Sequence, residues 1–355
     1  MTLDHRFASF LCLASMLLVG CGSSDGGGGG DDDDDDDVVA APDMEVTATV
    51  DLSAHGVLWS LAADTNHCYV GTDNGELLVF DVSDAAAPSQ VGSYTHSSGS
   101  ALNGLTKDGD LIYATYETAG LVIIDVADPA SPSEQGADEA PDYTGWEPLK
   151  DGDLVYWVGG GQNGAHLHVT DVSDPTAPQH ISTFTILEQT LGANAIAKSG
   201  DIVYTGDARG DLYAVDVSDP ANPAAAGSLL FTYARGVDDA EIQGNTLYFA
   251  KRLDGLFIID VSDSANPAEL ATFALEDGWA ADGQLDGNTL VLAYGDAGLV
   301  RVDVSDPAAP VQLGDALVPT GGPNFERLAL IGNHACVADT GLGSSHRLYV
   351  VRVNQ

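Results

Sequence analysis

The chain has 355 residues, 54 of them acidic and 12 basic, for a formal net charge of −42. The length suffices for a large hydrophobic core in one or two domains. A field of this sign repels nucleic acid and anionic lipid headgroups, so neither is expected as a partner; it suits solubility, or the recruitment of Ca²⁺ and cationic groups.

Chain order begins with an export signal. A polar start, "MTLDHRF", leads into an apolar stretch, Phe7–Val19, that is too short to span a membrane comfortably. "LVGC" (Leu18–Cys21) follows. This resembles the lipobox of bacterial lipoproteins, in which the cysteine becomes the acylated first residue. The resemblance implies that residues 1–20 are a signal peptide and that the Cys21 thiol takes the lipid anchor. Gly22 in place of Asp implies, by similarity to enterobacterial sorting, the outer membrane. Residues 21–40 continue as "GSSDGGGGGDDDDDDD" and similar small residues. Such a segment cannot bury apolar surface and reads as an acylated cysteine followed by a disordered tether. Its aspartates gather cations loosely, without coordination geometry.

From residue 41 onward one phrase recurs. The apolar run that ends in Asp and a Pro-marked turn places that aspartate at Asp81, Asp125, Asp171, Asp216, Asp260 and Asp303, at spacings of 44, 46, 45, 44 and 43 residues. A seventh run, Arg347–Val353, has Arg352 in register. Periods of this size mark a solenoid or a propeller. Within one unit, "ALNGLTKDGDLIYAT" is two alternating runs around a hairpin signal, "LVIIDV" is a doubly buried strand, and "SEQGAD" is a weaker fourth. Each unit is therefore predicted as a four-stranded antiparallel meander, with no helical period. The last unit lacks its outer strand, while Ala41–Leu52 aligns with a fourth strand. The expected architecture is an all-β, seven-bladed propeller closed by the N-terminal strand.

These phrases, "GLVIIDVADPASP" and its sisters, resemble the LVIVD repeat of bacterial and archaeal surface propellers over residues 41–355. The resemblance implies a β-propeller on an exported protein, with no assigned chemistry. The "GH…WD" signature and the Trp-rich motifs of quinone dehydrogenase propellers are absent from the sequence.

The repeated aspartates are expected to cap turns rather than bind ligands. Function belongs where repeats differ. Alignment on the hairpin glycine puts Trp59, Asn103, Trp146, Asn194, Asp238, Ala281 and Glu326 at the start of the innermost strands. Ser60, Gly104, Glu147, Ala195, Asp239, Asp282 and Arg327 come next. The candidate axial-mouth residues are therefore Trp59, Asn103, Trp146, Asn194, Asp238, Asp239, Asp282 and Glu326. Two indoles there suit a sugar or an aromatic group, and the oxygen ligands suit Ca²⁺. Loop residues Asp73, Glu117, Asp207, Asp296 and Asp339 predict an acidic face. "AHLH" (Ala165–His168) puts two imidazoles on one strand face, with no third metal ligand nearby in sequence. "GGGQNG" (Gly159–Gly164) lacks the following helix and Lys of a phosphate cradle, and no G-x-S-x-G elbow occurs.

Cys12 leaves with the signal and Cys21 takes lipid, so Cys68 and Cys336 remain in an oxidising compartment. Both are predicted on second strands facing the closing seam. Sheets pack about 10 Å apart and a bridge needs Cα atoms within about 7 Å, so two buried free thiols are expected.

The expected function is an exported, lipid-anchored, monomeric interaction module that holds a protein, glycan or ion on the loop face. It touches the membrane only through its anchor, and no cofactor is expected, Ca²⁺ being the one ion the axial oxygens would suit. The alternatives are a Ca²⁺-dependent hydrolase or lactonase at the axial mouth, and a purely structural envelope protein.

Overall fold

The computed structural model describes residues 44–139, 143–161, 164–188, 192–231, 236–340 and 346–354. The signal peptide, Cys21 and the tether fall outside the described residues. The 28 strands make seven four-stranded antiparallel sheets, with no helix among the described residues. Each first strand packs on the first strand of the next sheet, and the seventh meets the first, so seven blades stand around one axis. The first strands, in blade order, are Leu58–Ala63, Leu102–Asp108, Tyr143–Asp151, Ala193–Ser199, Asp239–Gln243, Asp282–Asp286 and Phe325–Ile331.

Local chemistry explains the blades. In blades 2 to 7 the first and second strands join through two-residue turns, such as Gly109–Asp110 between the paired Asp108 and Leu111. Gly109 has φ 55° while Asp110 does not share the positive φ, the type II′ pattern that suits the twist of a hairpin. The third strands are buried on both faces, as in Gly120–Ile124. They fill seven apolar clusters, one in each seam between neighbouring blades. The repeated aspartates behave as expected: Asp81, Asp125, Asp171, Asp216, Asp260 and Asp303 each accept the backbone N–H two residues on, at 2.8–2.9 Å. These turns also seat on the preceding blade. A Cβ at Gly92 would lie 2.1 Å from the Pro129 carbonyl of blade 2, so at this blade glycine lets the turn dock without a shift. In blade 3 Ser182 stands at the same position and donates to Pro220 O at 2.7 Å.

Four kinds of contact close the ring. The clasp strand Glu45–Asp51 pairs antiparallel with Arg347–Arg352, bringing Val46 opposite Val351 and Val50 opposite Leu348. Arg352 makes an ion pair with Glu45. Arg327 of blade 7 donates through Nε to Trp59 O of blade 1 at 2.8 Å. Finally, Cys68 and Cys336 form a disulfide with Cα atoms 6.5 Å apart.

The disulfide corrects the expectation of two free thiols. That expectation applied the mean spacing of face-to-face sheets. Blades radiating from an axis approach more closely near their inner strands, and the seam is lined there by small residues such as Ala329 and Ala338. The bridge joins residues 268 apart in sequence, so it constrains a very long loop of the unfolded chain. Alkylation of the unfolded, unreduced protein should leave Cys68 and Cys336 unmodified by mass spectrometry. Denaturant unfolding of the Cys68→Ser/Cys336→Ser double variant should show a loss of about 2–4 kcal/mol.

Candidate functional site

The first strands do not start smoothly. In blades 1, 2, 3, 4 and 7 the pairing with the second strand slips, and Trp59, Asn103, Trp146 with Glu147, Asn194 and Glu326 are the residues left over. In blade 5 Asp239 pairs with Ala250 while Asp238 N–H also donates to Ala250 O, at 3.0 Å. Ala281 and Asp282 share Ala293 in the same way in blade 6. Every blade thus carries a β-bulge at one level, and a bulge re-aims the extra side chain out of the sheet. The positions that vary between repeats are the bulge positions.

A cavity of about 410 Å³ lies at that level and is lined by all seven first strands. It receives Trp59, Asn103, Trp146, Asn194, Asp238, Asp239 and Asp282. Glu326 is not among its lining residues; its carboxylate accepts from Asn324 Nδ2 at 2.5 Å. Sequence reasoning did not select Glu241, Gln284 or Arg252, which also line the cavity. The signal for the first two was present, since each stands two residues beyond a bulge acid and therefore on the same strand face. Arg252 comes from the second-to-third turn of blade 5 with φ 33°, the one positive value at a non-glycine among the described residues. No local pattern marks it.

The lining has two sides. Blades 1 to 3 contribute a corner of two partly exposed indoles, Trp59 and Trp146, with ring centroids 6.5 Å apart at 79°. Asn103 stands between them in blade order, 9% exposed, with Nδ2 donating to Gly145 O at 2.8 Å. Blades 5 and 6 contribute Asp238, Asp239, Glu241 and Asp282, joined by Glu147 from blade 3. Several of these acids fasten the neighbouring blade: Gly283 N–H donates to Asp239 Oδ2 and Leu328 N–H to Asp282 Oδ2, both at 2.9 Å. Arg252 pairs with Asp238, with Nε 3.0 Å from Oδ1 and 2.9 Å from Oδ2.

Crowding in a partly dry space raises these carboxyl groups. Burial pushes Glu147 up to about 8; Arg327 opposes the rise, and the carboxylates of Asp282, Glu241 and Asp238 add to it. Burial, then Asp282, takes Glu241 to about 7. Burial takes Asp282 to about 6 against the pull of Arg327. Burial and Asp282 hold Asp239 well above the usual carboxylate range. Burial also raises Asp238, with Arg252 opposing. Burial disfavours the charged Arg327, but the surrounding carboxylates win and hold it protonated.

The expected acidic rim is only partly present. Asp73, Asp207 and Asp339 turn back to accept backbone N–H groups from Val57, Arg209 and Asn324 at 2.9, 2.9 and 3.0 Å. The carboxylates serve the loops that would otherwise carry unpaired donors. Glu117 and Asp296 remain exposed.

The two imidazoles of "AHLH" are buried away from the axis. His168 stacks on Trp157 with centroids 3.9 Å apart, and burial takes its pKa down to about 3, so it is neutral. Thr183 Oγ1 lies 3.1 Å from His168 Nδ1 and 3.0 Å from His180 Nε2. His180 Nδ1 in turn meets Asp138 Oδ2 of blade 2 at 3.1 Å, and Thr170 Oγ1 donates to the same oxygen at 2.6 Å. The network spans the seam between blades 2 and 3. Of "GGGQNG", Gln162 and Asn163 lie outside the described residues.

Two outcomes follow from these environments. A carboxyl raised by folding binds protons that the unfolded chain has released, so it costs stability as pH rises from its ordinary value, 4.5 for Glu147, to about 8. Glu147→Gln should therefore stabilise the protein at pH 8 by at least about 1 kcal/mol and change little at pH 4, by denaturant unfolding at each pH. The hydrogen bond to Asp138 raises His180 above 6.5, with burial working against it. That contribution is fully present below pH 6.5 and is lost as pH rises through the raised value. The stability difference between the protein and His180→Gln should shrink over that rise.

Comparison with known proteins places the repeat. The LVIVD repeat model matches residues 55–96, 107–137, 192–230, 234–274 and 277–316, just over half of the chain. Blades 3 and 7, which supply Trp146, Glu147 and Arg327, lie outside those matches although they share the four-stranded build. No curated protein matches the chain. A repeat that covers five blades, in a ring of seven blades with one architecture, makes this chain a member of the LVIVD repeat family.

Proposed function

We propose that this protein is an exported, lipid-anchored binding module whose recognition site is the axial cavity. One observation carries the reading: the scaffold positions repeat from blade to blade, while the bulge positions at the level of a cavity of about 410 Å³ change among Trp, Asn, Asp, Ala and Glu. A pocket of about 300–1,000 Å³ with a few convergent polar groups is the usual form of a small-ligand site, and it suits the ligand group of a glycan or protein partner as well. Export is supported by the Leu18–Cys21 lipobox resemblance and by the Cys68–Cys336 bridge, which belongs to an oxidising compartment. In this reading Cys21 holds the lipid and the Gly/Asp tether spaces the propeller from a surface that its charge repels.

Binding is preferred over Ca²⁺-dependent hydrolysis. Among the described residues, no group of three His, Cys, Asp or Glu side chains is placed to hold one metal ion. The cavity carboxylates instead spend oxygens on backbone N–H groups and on Arg252.

A ligand-observed NMR screen of mixed cationic, neutral and anionic fragments tests the reading. Fragments should bind the protein and lose binding at least tenfold in Asn194→Trp, which puts an indole into the cavity. A screen in which no fragment distinguishes the two proteins would overturn it. Mass spectrometry of the membrane fraction should find a diacylglycerol-modified Cys21 peptide, absent in Cys21→Ser.

A further inference from the structure

We propose that the axial cavity takes an organic cation, an ammonium group on an apolar arm. The ammonium sits among the carboxyl groups of blades 5 and 6, and the arm lies against Trp59 and Trp146. This rests on the reading of the cavity as the recognition site and names its ligand class.

Charge is the first argument. Five carboxyl groups line the cavity, Glu147, Asp238, Asp239, Glu241 and Asp282, facing two guanidinium groups, Arg252 and Arg327. Lys150 and Lys198 also line it, but their ammonium ends are committed to Asp108 at 3.6 Å and Asp151 at 2.5 Å. Glu326 lies outside the cavity and adds a further carboxylate near Asp238. With all five carboxyls ionised the excess would be negative, so an anionic or strongly acidic ligand is disfavoured. A bound cation supplies the missing charge in place of the protons that the raised carboxyls hold.

The indole corner is independent of that charge. Two rings at 79° present partly exposed surface to one side of the cavity. Indoles attract a cation over the ring face and shelter an apolar arm. Asn103 points the same way. It is nine-tenths buried and lines the cavity, its Nδ2 is fixed to Gly145 O, and its Oδ1 has no hydrogen-bond partner among the described residues. An amide oxygen left open on a cavity wall is an acceptor for an N–H donor. Together these features select an amine over a bare divalent ion, for which no three-ligand group is placed.

The test is calorimetric titration of the intact protein with four probes: 2-phenylethylammonium chloride, 2-phenylethanol, sodium phenylacetate and calcium chloride. The first two share the phenylethyl arm and differ only in the headgroup; the third carries a carboxylate on the shorter phenylmethyl arm. The ammonium should saturate a single site, the alcohol should bind at least tenfold more weakly, and the acetate should not bind. Heats at pH 7 should differ between phosphate and Tris buffers, reporting proton release from the cavity carboxyls. Glu147→Gln and Trp146→Ala should each weaken the ammonium about tenfold; the Glu147 side chain makes no hydrogen bond among the described residues, so its variant leaves the blades tied. Equal binding of the alcohol or the acetate overturns the cation assignment and leaves the cavity reading standing. So does absence of ammonium binding when the NMR screen finds other cavity-dependent fragments. If neither titration nor screen finds a ligand, both fall. A tight calcium site lost in Glu147→Gln also overturns the proposal, in favour of a metal centre.

Discussion

A blade has two sheet edges, and the inner one cannot be hidden by another strand. Seven first strands bring seven such edges to one axis, each with backbone N–H and C=O groups that need partners. Side chains of the neighbouring first strand answer them. Ser60 Oγ donates to Leu102 O at 3.2 Å, and Asn103 Nδ2 to Gly145 O at 2.8 Å. On the other arc the polarity reverses: Asp239, Asp282 and Gln284 accept from Gly283, Leu328 and Leu330. Arg327 completes the circuit on Trp59 O. The ring stays closed because these edges are stitched, and the stitching decides which polar atoms face the axis.

The arc that stitches with acceptors needs carboxylates, and carboxylates gathered in one dry space raise each other's pKa. The site therefore carries an electrostatic cost that the scaffold elsewhere absorbs. Seven apolar seams, the Cys68–Cys336 bridge and a repeated contact on the far face supply the compensation. In that contact Lys107, Lys150 and Lys198 each sit about 5.4–5.5 Å from the ring centroid of Tyr69, Tyr113 or Tyr156 on the preceding blade. Stability is concentrated where the repeats agree, and tension where they differ. Blades 3 and 7, outside the family matches, bring to the cavity an acid whose side chain makes no hydrogen bond among the described residues and one of the two guanidinium groups that face the acids.

The blades, their number, their turns and the N-terminal clasp are readable along the chain because each rests on local chemistry. Alternation with period two makes the first and second strands. A glycine that accepts positive φ makes the turn, and an Asp two residues before an N–H caps it. Even the bulge ring is visible as the aligned positions that vary. The cysteine pair was misjudged because a general sheet spacing was applied to blades that converge. Asp73, Asp207 and Asp339 were misjudged because a loop carboxylate looks solvated until the backbone donor it caps is known.

Repetition in the chain was sufficient for the architecture, since seven copies of one meander have few ways to bury their faces and only closure covers the last free face. The character of the cavity was a different matter. Glu147 meets Asp282 across 135 residues, Arg327 meets Trp59 across 268, and Arg252 reaches Asp238 from a strained turn. Those encounters depend on the angle and radius at which seven blades meet, and no neighbour in sequence records either. Charge balance at an axis is a property of the closed ring, so it came into view only with the ring itself.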